Sequence, residues 1–243
     1  RWLYKPLNNE FITLHVGASF RYSRINTGEV VNNVFKTNVE LESNMQTYVD
    51  GTTEFLNAQV PWAKNTITVG PEVLVVTSNM FLRGEYIYKR LYKKRNDEAL
   101  FENQLGGVWS WTTLASWQAG NPMRSSKFQG AYVEMGYLLC GEGYGYDDEY
   151  GLLRGSNERG DLEIVARYSY TDLNDINKGD FFLIGKQVFY PGGVVADYPA
   201  VSTSIGGGRL HAATIGVNYT FNQYVKVMGE YQYGNLKNVY FPL

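Results

Sequence analysis

The feature that most constrains this chain is a two-residue alternation that runs well past ordinary strand length. From Phe11 to Arg24, Ile12, Leu14, Val16, Ala18, Phe20 and Tyr22 fall on one face; Thr13, His15, Gly17, Ser19, Arg21 and Ser23 fall on the other. Period two specifies a β-strand with two chemically different faces. A typical strand has about 5–6 residues, whereas a tilted membrane crossing needs about 9–11. Gly160–Tyr170 repeats the pattern, with Leu162, Ile164, Ala166, Tyr168 and Tyr170 opposite Asp161, Glu163, Val165, Arg167 and Ser169. The apolar face either packs inside a soluble sandwich or meets lipid around a barrel.

Connection lengths favour the barrel. After a strand stub at Arg1–Lys5, further strands are predicted at Thr66–Thr77, Met80–Leu91, Phe128–Glu142, Leu210–Phe221 and Val225–Tyr233. Short turns at Pro6–Asn9, Ser78–Asn79 and Asn222–Tyr224 alternate with the long connections Ile25–Asn65, Tyr92–Lys127 and Asp172–Gly207. Turns at one end and long loops at the other mark outer-membrane barrels. Gly143–Arg159 is the exception, a long polar connection where a short turn belongs. A short strand near Val39–Leu41 and a turn at Asp50–Gly51 interrupt the first long loop. The shared parity of Trp109, Trp111, Ala115 and Trp117 suggests a hairpin or extra strand in the second.

Aromatic residues sharpen the assignment. Phe20 with Tyr22, Tyr86 with Tyr88, Tyr168 with Tyr170 and Tyr231 with Tyr233 cluster where upward strands end; Tyr219 and Phe221 cluster where a downward strand ends. Two belts at fixed heights are what membrane interfaces select. No segment approaches the roughly 18 apolar residues of a membrane helix. The mean hydropathy of −0.30 is compatible with a barrel, whose strands hide half their residues in a polar interior. With 22 basic and 24 acidic residues there is no basic excess, which argues against a nucleic-acid binder. The single cysteine, Cys140, excludes an intrachain disulfide.

Three segments carry a family resemblance. Gly130-Ala-Tyr-Val-Glu-Met-Gly-Tyr-Leu-Leu, Leu162-Glu-Ile-Val-Ala-Arg-Tyr-Ser-Tyr-Thr-Asp-Leu-Asn-Asp and Thr214-Ile-Gly-Val-Asn-Tyr resemble the C-terminal half of the phosphate-selective porin O and P family. Phe81-Leu-Arg-Gly-Glu-Tyr and Tyr48-Val-Asp-Gly are similar to further family segments, and insertions around Trp109–Trp117 and Phe181–Ser204 suggest its Bacteroidetes branch. The resemblance implies a transmembrane antiparallel β-barrel, all-β and sixteen-stranded, a size at which the lumen is an aqueous channel. It also implies a trimeric outer-membrane porin passing small polar or anionic solutes, phosphate-like anions among them. Residues 1–243 are read as a single barrel domain lacking N-terminal strands and the closing strand. An open sheet cannot stand in lipid. Either a larger barrel contains these residues, or a second chain completes it, or the strands close as an eight-stranded barrel filled with side chains.

The candidate pore-lining residues lie on the inward parity: the bases Arg21, Arg83, Lys89, Arg167 and Lys226 and the acids Glu72, Glu85, Glu134, Glu163 and Glu230. Opposed charges across a lumen set ion preference; equally, mixed charges simply solvate it and pair across strands. The Ser78–Asn79 turn sets Glu72 opposite Glu85, with Arg83 the diagonal cation, and Glu134 should approach Arg167. Arg24 and Lys36, in a loop, could guide anions. The expected pore constriction is Ile25–Asn65 or Tyr92–Lys127 folded inward.

Other motifs are weak. Asp172–Asp180 lacks calcium-loop spacing and reads as a polar loop. Asp147-Asp148-Glu149 reads as a solvated turn. His15 and His211 read as ordinary strand-end residues without metal-ligand spacing, and Cys140 as a small lumen filler. Gly141–Gly145 and Gly206–Gly208 lack the strand–glycine–helix context of a nucleotide loop. No catalytic constellation, metal site or cofactor is expected. The expected partners are outer-membrane lipid, a small solute and further copies or a completing chain. The alternative function is a plugged barrel acting as a scaffold in an outer-membrane assembly.

Overall fold

A computed structural model of the chain describes residues 1–26, 29–31, 34–36, 38–43, 55–105, 113–120, 123–155, 159–177, 182–184, 187–189, 195–196, 204–222 and 224–237. Eight long strands form its wall: β1 (Trp2–Asn8), β2 (Ile12–Arg24), β3 (Ala63–Thr77), β4 (Met80–Lys93), β5 (Ser126–Cys140), β6 (Leu162–Asp175), β7 (Ser204–Asn222) and β8 (Val225–Lys237). Each pairs antiparallel with the next, so the wall is a meander in chain order. Among the described residues β1 and β8 do not pair with each other, so the eight strands form an open sheet. The closed eight-stranded alternative is thereby corrected.

The alternation that dominates the sequence survives as two faces. Ile164 pairs with Tyr137 and Val217, and Tyr168 with Val133 and Ala213, on the outward side. Glu163 pairs with Leu138 and Asn218, and Arg167 with Glu134 and Thr214, on the inward side. Val133, Met135, Ile215 and Val217 are 45–55% exposed on the outward face. In water so broad an apolar surface invites association; in a bilayer it is the lipid-facing band.

Short connections lie at one end, here the turn end. Asn9 anchors the first, its side chain accepting from the Phe11 and Ile12 backbone amides. This corrects the Pro6–Asn9 turn: Pro6 and Leu7 belong to β1, an edge strand, where a missing N–H is tolerated. Ser78–Asn79 joins β3 to β4 as read. Long connections lie at the loop end. Asn38–Ser43 and Leu56–Pro61 form a hairpin there, and Trp62, at φ 63°, turns the chain from that hairpin into β3. A bulky residue in the left-handed region is strained, and burial at 2% exposure holds it there.

The described part of the second long connection is helical. In α1 (Asp97–Leu105), Asn96 caps the Ala99 amide; in α2 (Leu114–Gly120), Thr113 caps the Ser116 amide. Phe101 meets Trp117 edge-on at 6.2 Å, joining the two helices. Trp117 is therefore helical, and Trp109 and Trp111 lie outside the described residues, as do Tyr48–Gly51.

Two apolar clusters occupy the inward face, one at each end. At the loop end Leu56, Ala58 and Val60 of the hairpin pack on Leu91, Phe128, Leu173, Ile205 and Leu210 of the wall. At the turn end Leu74, Val76, Phe81, Leu138 and Tyr144 pack together, with Tyr146 and Leu153 against them.

Candidate functional site

The turn-end cluster is built by the connection that fitted the sequence pattern least. Gly145–Asp147 and Leu152–Arg154 form a small hairpin between β5 and β6, and it lies across the inward face instead of in solvent. The Tyr144 amide donates to the Ser78 carbonyl at 2.8 Å, tying the hairpin to the neighbouring turn. The Tyr144 hydroxyl donates to Glu163 at 2.5 Å. The Tyr146 hydroxyl lies 3.2 Å from Nδ1 of His15 on β2. On β1, Lys5 pairs with Asp148, and Arg1 donates to the carbonyls of Tyr150 and Gly151 at 3.3 and 3.4 Å. Burial, and then the bond to Glu163, raises the Tyr144 phenol above its ordinary pKa; burial does the same to Tyr146. Both therefore stay protonated, and Tyr144 stays a donor, at neutral pH.

Between the two apolar clusters the inward face is charged. Arg83, Glu134, Arg167 and Thr214 share one register row. Glu134 accepts from Arg83 at 2.9 Å and from Arg167 at 3.4 Å. The Arg167 guanidinium lies 4.5 Å from the Tyr132 ring centroid, a cation–π distance. Glu163 accepts from Tyr144 and from Asn218 at 2.7 Å, with Lys226 at 3.9 Å. A cavity of about 350 Å³ opens onto Phe81, Arg83, Glu134, Tyr144, Glu163 and Arg167.

The sequence-predicted residues separate into groups. Arg83, Glu134, Glu163, Arg167 and Glu230 line this cavity, and Lys226 reaches Glu163 from β8. Glu72 does face Glu85 across β3 and β4. Its cation, however, is Arg1, which binds it in bidentate fashion at 2.6 and 2.9 Å, while Arg83 turns to Glu134. A closer, geometrically matched fork displaces the diagonal partner. Glu72 and Arg83 also border a smaller cavity of about 90 Å³ with Arg1 and His15. Arg21 and Lys89 flank Thr68 in a separate row nearer the loop end.

Several readings need correction. His15 is mid-strand and 1% exposed, because the hairpin covers it. Asp147-Asp148-Glu149 is a solvated turn as read, and it shapes the hairpin tip: Asp147 accepts from the Glu149 and Tyr150 amides and Asp148 pairs with Lys5. His211 meets the Tyr168 hydroxyl at 2.7 Å on the outward side. A register shift before Glu163 sets Cys140 opposite Leu162, exposed at the strand end and off the lumen parity. Asp172–Asp175 continues β6, where Asp172 binds Arg209 at 2.7 Å; residues 178–180 lie outside the described residues, as does the side chain of Lys36. Gly206–Gly208 is a bed for the loop-end hairpin: a Cβ at Gly207 would stand 2.6 Å from Leu173 and 2.7 Å from Ala58. The sequence signal for both inward hairpins was apolar residues, such as Tyr144, Tyr146 and Leu153, inside segments otherwise polar.

Compared with known families, the chain matches the model for phosphate-selective porin O and P over residues 1–238. A search of curated proteins finds no match.

Proposed function

The chain belongs to the phosphate-selective porin O and P family of outer-membrane porins, and from that premise we propose that small polar and anionic solutes, phosphate-like anions among them, diffuse passively along its charged inward face. The family is one of channels rather than enzymes. The observation that carries the reading is the row Arg83–Glu134–Arg167, two cations sharing one carboxylate at the wall of the 350 Å³ cavity. Glu72 and Glu163 are each held by their own donors, Arg1 for the first and Tyr144, Asn218 and Lys226 for the second. The guanidiniums thus favour a passing anion, as basic groups lining a pore do. Arg21, Lys89 and Lys226 extend the basic surface, and Glu85 and Glu230 moderate it.

The same reading requires partners for the outer edges of β1 and β8, because an unpaired backbone group in lipid costs several kcal/mol. We assign that role to further strands of a larger barrel or to a second chain. Reversal potentials across a planar bilayer in a chloride salt gradient test the anion preference, and added phosphate should depress the chloride current. Arg83→Gln with Arg167→Gln should move the reversal potential towards cation selectivity. A cation-selective parent channel would overturn the anion assignment.

A further inference from the structure

Among the described residues the outward face carries charge at only one of its two rims. Following the outward parity of each strand past its tyrosines towards the loop end leads to Arg24 on β2, beyond Tyr22, and to Arg90 on β4, beyond Tyr88. On β5 it leads to Lys127, which pairs with Arg90; on β7 to Arg209, beyond His211; and on β8 to Lys237, which pairs with Arg209. The aromatic belt beneath is exposed: Phe20, Tyr22, Tyr168, Tyr231 and Tyr233 all project from the wall. At the turn end the same face finishes in Ile12, Met80, Tyr137, Leu162, Tyr219 and Val225, all uncharged. Among the described residues the acid in the basic row is Asp172, which is buried and already binds Arg209.

The geometry points to a docking surface for phosphorylated lipid headgroups: Arg24, Arg90, Lys127, Arg209 and Lys237 bind the phosphates of the leaflet at the loop end. Tyrosine rings settle at headgroup depth, so Arg24 and Arg90, one outward step past a tyrosine, and Lys127, Arg209 and Lys237, which share the same rim, sit where lipid phosphates lie. Arg24, Lys127 and Lys237 are exposed and make no ion pair among the described residues. Arg90 donates to Ser125 at 2.9 Å and stacks 4.8 Å from the Tyr92 ring, and Arg209 lies 5.9 Å from the Tyr170 ring. Those contacts hold the two guanidiniums in place; Asp172 takes Nε and Nη2 of Arg209 and leaves Nη1 for a phosphate, and Ser125 takes Nε of Arg90 and leaves its two terminal nitrogens. Five cations against Asp172, engaged by Arg209, and Asp175, which accepts from the Lys127 backbone amide at 3.1 Å, leave a net positive surface complementary to an anionic leaflet. This surface lies on the opposite side of the wall from the solute path.

The test is native mass spectrometry of the detergent-purified protein titrated with bisphosphorylated lipid A and, separately, with its dephosphorylated form. The phosphorylated lipid should bind the parent protein and the dephosphorylated lipid should not. The triple variant Arg24→Gln, Lys127→Gln, Lys237→Gln should bind it roughly 100-fold more weakly, since each basic residue at an anionic surface contributes about fivefold. Equal binding of the two lipids, or equal binding by parent and variant, would overturn the assignment. So would full displacement of the lipid by millimolar inorganic phosphate, which would make the row a site for free anions. Bilayer conductance of the triple variant separates this inference from the channel function: unchanged current with lost lipid binding supports a headgroup site, and altered ion selectivity places the row in the pore and sinks the idea.

Discussion

The two ends of the inward face are closed by hairpins of opposite character. At the loop end the seal is hydrocarbon: Leu56 and Val60 are 1% and 0% exposed, against Leu91 and Ile205 at 0%. At the turn end the hairpin is latched mainly by polar contacts, Tyr144 to Glu163, Tyr146 to His15, Asp148 to Lys5 and two carbonyls to Arg1. An apolar seal has no alternative partner in water and opens only at the full cost of hydration. A polar latch exchanges its partners for water at a modest net cost, about 0.5–1.5 kcal/mol for a neutral bond and about 1.5–3 kcal/mol for one to a charged group. The loop-end element should therefore act as part of the wall, and the turn-end element as the part that moves.

The sharpest way to break the comparison is at the seal. Leu56→Ala should cost about 2–5 kcal/mol through the cavity it leaves, read as a lowered temperature for the heat-induced shift on a gel, with little change in single-channel current. Next is Gly136→Val. A Cβ at Gly136 would stand 2.2 Å from the Phe81 ring and 2.8 Å from the Tyr144 hydroxyl. Overpacking should cost about 1–3 kcal/mol and push the turn-end hairpin off the wall, so conductance should rise. Tyr144→Phe keeps the ring against Phe81, at 5.0 Å, but removes the donor to Glu163. About 1–2 kcal/mol of stability should go, with noisier open-channel current as the main sign; a loss as large as that of Leu56→Ala, with quiet current, would erase the distinction drawn here.

The smallest effect concerns pH. The Tyr144 pKa is raised by burial and then by Glu163. A group whose folded pKa lies above its unfolded value contributes fully below the unfolded pKa, about 10 for tyrosine, and loses that contribution as pH rises through the folded value. Conductance should thus stay level from about pH 6 to about pH 10 and change only in stronger alkali. A step near neutrality would show that a group other than Tyr144 works the latch.

What the sequence disclosed was governed by short-range geometry. A turn as tight as Ser78–Asn79 leaves one register, so the facing of Glu72 and Glu85 followed by counting. Adjacency of Glu134 and Arg167 was legible although a long connection joins their strands, since the pairing runs without a shift from Glu163 to Asp172. The partner of Glu72 was not legible, because Arg1 stands two strands away and reaches the carboxylate over Gly17, where a Cβ would stand 2.5 Å from Glu72. Nor was the burial of His15, whose cover lies 131 positions along the chain. Trp117 misled because parity was counted through Thr113, whose capping hydroxyl starts a new period.

The turn-end hairpin leaves β5, returns to β6 and touches β1 and β2 on the way. It is a chord drawn across an arc. A chord of fixed length between fixed points on a bent sheet sets the radius of the bend, and radius and strand number in a closed wall are linked. The fastening of Arg1 and Lys5 to residues near 150 thus does more than narrow a passage. It gauges how tightly the wall curls, and so how many strands it takes to come full circle.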